Sequence, residues 1–198
     1  MMPHATPVGT GWIEVVTGCM FSGKTEELIR RLNRARIARQ SVVVFKPRVD
    51  VRYAETEVVS HGDGRIPCVP VAEASDILRL VGDAAVIGVD EAQFFDQSLV
   101  RVCNELADEG LRVIVAGLDQ DYRGVPFEPI PQLLAVAEYI TKTPAVCTVC
   151  GAPANRSQRL VRRDARVMLG ASESYEARCR KHWNPDVFES HQERLPLG

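Results

Sequence analysis

Three groups of residues in this chain have the types and spacing to do chemistry. The first is Gly18, Cys19, Met20, Phe21, Ser22, Gly23, Lys24 and Thr25, which fits G-x-x-x-x-G-K-[ST]. In that pattern backbone N–H groups wrap phosphate oxygens, the lysine reaches the β- and γ-phosphates, and the final hydroxyl holds Mg²⁺. Lys24 and Thr25 are the candidates for those roles. The second group is Asp90-Glu91, two adjacent carboxylates at the end of the apolar run 84–89. Behind a phosphate loop, such an acid helps to hold Mg²⁺, which suits Asp90. Glu91, one residue on, is expected to point to the other face of the strand end, as a general base on whatever attacks the γ-phosphate. Otherwise the pair caps the next helix. The third group is Cys147-x2-Cys150 and Cys179-x2-His182, separated by 28 residues. Two such knuckles can bring four ligands to a tetrahedral Zn²⁺, and a four-ligand site is structural because no coordination position stays open. The competing reading is a redox C-x2-C beside an unrelated Cys and His.

These side chains need a scaffold. Residues 12–17 are mostly β-formers and predict a strand, and 26–39, rich in Leu, Ile, Ala, Glu and Arg, predict a helix. Strand, glycine-rich loop and helix N-terminus is the order that phosphate binding requires. The apolar runs 41–46, 84–89 and 111–117 predict strands buried on both faces of a parallel sheet. Residues 96–110 predict a helix capped by Asp96 and ended by Gly110, and 138–143 a last strand. Short strands are expected at 57–60 and 66–71, a short helix at 73–81, and a polar loop over 48–64 that includes a surface His61. The helix over 26–39 carries Arg30, Arg31, Arg34 and Arg36 on one face, with Glu26 and Glu27 four residues before Arg30 and Arg31. That balance suits a solvated or subunit-contacting face better than a nucleic-acid surface. Residues 118–127 break regularity at the carboxyl end of a strand, where open α/β sheets bind ligands. Tyr122 and Phe127 there could form a substrate wall or pack in the core.

Bulk properties narrow the class. The 198 residues suffice for one α/β core with a small appendage. Net charge is −2, so nothing global attracts nucleic acid. Residues 1–11 lack the apolar segment of a signal peptide, and no apolar run approaches a membrane span. The expectation is therefore a cytoplasmic protein with a loose tail over 1–11, a P-loop (RecA-like) α/β domain over 12–143 built on a mostly parallel sheet flanked by helices, and a zinc-binding domain with a C-terminal tail over 144–198. The loop between the two knuckles, running over 166–175, is expected to fold back over the sheet end and exclude water.

Taken together, G-C-M-F-S-G-K-T at 18–25, D-E-A-Q-F-F at 90–95, L-D-Q-D-Y-R-G-V-P-F at 118–127 and G-A-S-E-S-Y-E-A-R-C-x2-H at 170–182 resemble the cytosolic, zinc-containing thymidine kinases. The resemblance spans nearly the whole chain. It implies transfer of the ATP γ-phosphate to the 5′-hydroxyl of thymidine, and of deoxyuridine, giving the monophosphate and ADP. It implies that Glu91 accepts the hydroxyl proton, that loop 18–25, Asp90 and Gln93 serve ATP, and that Thr25 and Asp90 hold Mg²⁺. Met20, Phe94, Leu118, Tyr122 and Phe127 would line the nucleoside pocket. Val167, Met168, Leu169 and Gly170 would form a "lasso" whose backbone grips the thymine edge, with Tyr175 closing over it. Cys147, Cys150, Cys179 and His182 would anchor the lasso through zinc. Family members are commonly homotetramers inhibited by thymidine triphosphate.

This sequence departs from the family in three places. Cys19 stands where proline is usual, Tyr122 where phenylalanine is common, and His182 where some members have a fourth cysteine. A zinc-lidded adenylate-type kinase and a RecA-like ATPase with a zinc ribbon on nucleic acid are the competing classes. The first inserts its cysteines mid-chain. The second needs a basic, aromatic-studded strip that is missing here.

Overall fold

The computed structural model describes residues 9–48, 57–59, 65–161 and 174–185. In chain order the sheet domain comprises β1 (Trp12–Gly18), α1 (Lys24–Ile37), β2 (Val42–Pro47), β3 (Glu57–Val59), β4 (Arg65–Pro67), β5 (Val69–Val71), α2 (Asp76–Leu80), β6 (Val86–Val89), α3 (Ser98–Asp108), β7 (Arg112–Leu118), α4 (Ile130–Val136) and β8 (Tyr139–Lys142). Four short strands follow: β9 (Ala145–Val146), β10 (Pro153–Ala154), β11 (Arg156–Arg159) and β12 (Tyr175–Arg178).

Six strands form one sheet in the order β5-β2-β6-β7-β1-β8, and every neighbouring pair is parallel. The apolar runs of the sequence become its centre, because a strand covered by helices on both faces needs apolar residues at every position. The two faces separate cleanly. Ile13, Val15, Ile87, Val89, Val113 and Val115 pack with α2, α3 and α4. Val16, Val44, Val86, Ile114 and Ala116 pack with Leu28, Ile29, Leu32 and Ala35 of α1. Gly88 permits the close approach of α1, since a Cβ there would lie 2.8 Å from Leu32 Cδ1.

The predicted strand at 66–71 is two strands. β4 turns back on β3 as an antiparallel pair, while β5 joins the sheet beside β2. Pro70 is tolerated because β5 is an edge strand, whose outer N–H has no partner to lose. Helix α4 was not anticipated from the sequence. It carries Pro at its start, where the missing N–H costs nothing, and buries Ile130 and Leu133. Among the described residues no helix is long and apolar enough to cross a membrane.

The arginine face of α1 is not wholly solvated. Arg30 and Arg31 both pair with Glu27 rather than dividing between Glu26 and Glu27. Arg31 also turns inward, donating from Nη1 to Glu14 at 2.8 Å and from Nη2 to Thr141 at 2.8 Å. Glu14 accepts further from Arg112 Nε at 2.6 Å and Trp12 Nε1 at 2.8 Å. Burial alone would raise the carboxyl pKa, but Arg112, Trp12 and Arg31 outweigh it and hold Glu14 below its usual value. A carboxylate with a depressed pKa contributes stability above its unfolded pKa and loses it as pH falls through the folded one. Glu14→Ala leaves two cations without their shared partner and is expected to cost about 3 kcal/mol at neutral pH. Denaturant titrations should show the gap between wild type and variant narrowing below about pH 4.5 as Glu14 protonates.

Candidate functional site

The phosphate loop occupies the carboxyl end of β1. Gly18 closes the strand with φ 152°, and a Cβ there would lie 2.2 Å from the Thr143 carbonyl oxygen. The turn that follows uses left-handed backbone at Phe21 (φ 64°) and at Gly23 (φ 79°), after which α1 begins at Lys24. Thr143 fastens the loop from outside: its N–H donates to Thr17 O at 2.8 Å, and its hydroxyl lies 3.2 Å from Ser22 Oγ. Lys24 Nζ donates to Cys19 O at 2.8 Å. Burial pushes the Lys24 ammonium below its ordinary pKa, while Glu91, Cys19, Asp90 and Asp119 pull it back up.

Strand β6 lies two places from β1, and beyond its end it delivers Asp90 to the same edge. Thr25 Oγ1 lies 3.5 and 3.4 Å from the two Asp90 oxygens. A hydroxyl facing a carboxylate is a pair of hard oxygen donors, which fits Mg²⁺. Glu91 does not reach its place by strand alternation. The strand stops at Val89, and Glu91 takes left-handed backbone (φ 51°) ahead of a 3-10 turn over Ala92–Phe94. Its side chain is fixed by Gln93, whose Nε2 donates to Glu91 Oε2 and whose Oε1 accepts from Leu118 N at 3.0 Å. Gln93 is thus a strut between β7 and Glu91, a use the sequence did not reveal.

Tyr122 and Phe127 follow β7 and are both buried, as is Tyr175 at the start of β12. The additional hydroxyl of Tyr122 accepts from Arg123 Nε at 2.8 Å. Between the tyrosines sits Arg159, 1% exposed. Its guanidinium carbon lies 4.0 Å from the Tyr122 ring centroid, and Nη2 donates to the Tyr175 hydroxyl at 2.7 Å. A buried arginine between aromatic faces rigidifies both rings. Met20, Phe94 and Leu118 are each partly exposed at this end of the sheet. Val167, Met168, Leu169 and Gly170 lie outside the described residues, as does His61. The arms that flank residues 162–173 meet in the β11–β12 ladder and in a bond from Leu160 N to Ser174 O at 2.9 Å.

The four predicted metal ligands converge. The sulfurs of Cys147, Cys150 and Cys179 and a ring nitrogen of His182 all lie within 4.8 Å of one another. Cys150 Sγ is 3.8 Å from Cys179 Sγ, and His182 Nδ1 is 3.4 Å from Cys179 Sγ. Three sulfurs and one imidazole are a donor set for zinc, which this cluster could bind. Desolvation resists ionisation of Cys147, but backbone N–H groups of Cys179, Val149 and Cys150, with the His182 ring, lower its pKa to about 5.

Comparison with known proteins agrees with this arrangement. The thymidine kinase family model matches residues 11–183. A thymidine kinase of Rhodothermus sp. is 63% identical over 175 residues, covering 88% of this chain and 82% of the relative. A thymidine kinase of Bdellovibrio bacteriovorus is 56% identical over 178 residues, covering 89% and 87%. A phosphate loop, an acid pair and a Cys₃His cluster thus occur together in a chain matched almost from end to end, and the chain belongs to the thymidine kinase family.

Proposed function

We propose that the protein transfers the γ-phosphoryl group of ATP to the 5′-hydroxyl of thymidine, and of deoxyuridine, giving the nucleoside monophosphate and ADP. The observation that carries this reading is the convergence of Lys24, Thr25, Asp90 and a braced Glu91 on one sheet edge. Loop 18–25 binds the phosphates through its N–H groups, and Lys24 leaves Cys19 O to meet the β- and γ-phosphates. Thr25 and Asp90 hold Mg²⁺ that arrives with ATP, whose charge offsets that of the phosphates. Glu91 accepts the proton of the 5′-hydroxyl, and Gln93 holds the carboxylate in place while it does so.

The nucleoside lies against Met20, Phe94, Leu118, Tyr122 and Phe127. Tyr175 and the backbone of 167–170 close over it. The burial of Phe127, and of Tyr122 and Tyr175 around Arg159, supports a rigid wall on that side. Residues 12–143 form the ATP-binding domain, and 144–198 a domain whose zinc is structural. In this reading the protein works in the cytoplasm as a homotetramer inhibited by thymidine triphosphate, without a nucleic-acid or membrane partner.

A panel of nucleosides incubated with ATP and Mg²⁺ tests the pocket. Monophosphate is expected from thymidine and deoxyuridine and not from deoxyadenosine, deoxyguanosine or deoxycytidine. Equal product from the purine nucleosides would refute the pocket assignment.

A further inference from the structure

The phosphate loop and the Cys/His cluster share a core. Cys19, the second residue of the loop, is 2% exposed. It belongs to one buried cluster with Ala145, Ala154 and Ala177 and with two of the metal-ligand residues, Cys147 and Cys179. Its sulfur also donates to Ala154 O at 3.4 Å. The next residue is held from the same side, since Met20 N donates to Ser157 Oγ at 3.1 Å. On the inner side of the loop, the Cys19 carbonyl accepts from Lys24 Nζ at 2.8 Å. Cys19 therefore touches the phosphate-site lysine through its backbone and the metal module through its side chain. The loop has strain to hold, because Phe21 sits in left-handed backbone, a conformation that costs energy for a residue with a Cβ.

We infer that the Cys/His module is a working part of the phosphate site. Cys19 and Ser157 are positioning residues that link metal occupancy of Cys147, Cys150, Cys179 and His182 to nucleotide affinity. The inference rests on loop 18–25 being the ATP site. With metal bound, Cys147 and Cys179 are fixed, the surface under Cys19 is fixed, and the loop N–H groups are preorganised for phosphate. Linkage is reciprocal, so nucleotide must in turn tighten the hold on metal.

The test uses full-length, zinc-loaded protein and two readouts: ADP affinity by calorimetry, and the rate of zinc release to an excess of chelator. Cys19→Ala and Ser157→Ala are each expected to weaken ADP binding about tenfold, within the usual range for coupled sites. Ser157→Thr, which keeps the hydroxyl, should restore it. Saturating ADP should slow zinc release from the wild type several-fold and from Cys19→Ala much less. A support that served folding alone would lower stability without making zinc release depend on ADP. Wild-type ADP affinity in both alanine variants, or zinc release indifferent to ADP in the wild type, would overturn the inference alone. Failure of the wild type to bind ADP would overturn the ATP-site reading and this inference with it.

Discussion

Glu91→Gln is expected to lower turnover by about 10²- to 10⁴-fold, the range for loss of a general base, while ATP affinity stays within about twofold of wild type. The separation of the two effects follows from what Glu91 touches. It lies outside loop 18–25, so the N–H groups that meet phosphate are unchanged, and the charge of bound phosphate replaces that of Glu91 in keeping Lys24 protonated. Glutamine is nearly isosteric, and its side-chain oxygen can still accept from Gln93 Nε2. The left-handed backbone at 91 is strained for any residue with a Cβ, and the substitution leaves that strain as it was. What is lost is the carboxylate charge and with it the capacity to take a proton. Steady-state kinetics with thymidine and ATP, together with calorimetric ATP binding, measure both quantities. Near-normal turnover would remove Glu91 as the base.

Loss of metal should have the second large effect, and it should reach the nucleoside side as well as the phosphate loop. The apolar cluster around the Cys/His ligands consists of three alanines and three cysteines, with Ala152 packed against it. Its strands pair over only two residues in β9–β10 and four in β11–β12. A unit of that size buries too little apolar surface to hold itself together. Structural zinc supplies about 10–16 kcal/mol in zinc-finger peptides, which is ample for this purpose. The wild type is accordingly expected to contain one zinc per chain. Cys150→Ser should lose it and loosen β12, which carries Tyr175 and continues from the clasp Leu160–Ser174. Thymidine affinity should fall more than about tenfold, while the six-stranded sheet keeps its circular dichroism because its core lies elsewhere. Full thymidine affinity in a zinc-free protein would contradict this role.

What was legible in the sequence was whatever depends on local pattern. Strands buried on both faces announce themselves as apolar runs, as 41–46 and 111–117 do, and the phosphate loop is set by glycine and lysine at fixed offsets. The four metal ligands were legible because knuckle spacing is local too, and the structure brings all four together. Residues whose role depends on partners far along the chain were not legible. Arg31 sits on what spacing alone marks as the polar face of α1, yet it turns to Glu14, seventeen residues away on β1. Arg159 ends the polar stretch R-S-Q-R at 156–159, and only the arrival of Tyr122 and Tyr175 on either side explains its burial. Gln93 is marked as an ATP contact by the resemblance alone, and its bonds to Leu118 and Glu91 depend on a strand end that spacing does not reveal. Glu91 reaches its place through a left-handed turn that alternation along β6 could not foresee. Helix α4 was hidden by its prolines, which mark a loop unless the first of them falls at a helix start.

The central claim is that the phosphate loop and the acid pair serve transfer to a nucleoside hydroxyl and not release of phosphate to water. The most direct measurement is to supply γ-labelled ATP, Mg²⁺ and thymidine, and to follow the label and the ADP together. One labelled thymidine 5′-monophosphate is expected for each ADP formed, with almost no free phosphate. ADP and free phosphate without labelled nucleotide would contradict it and point to an ATPase.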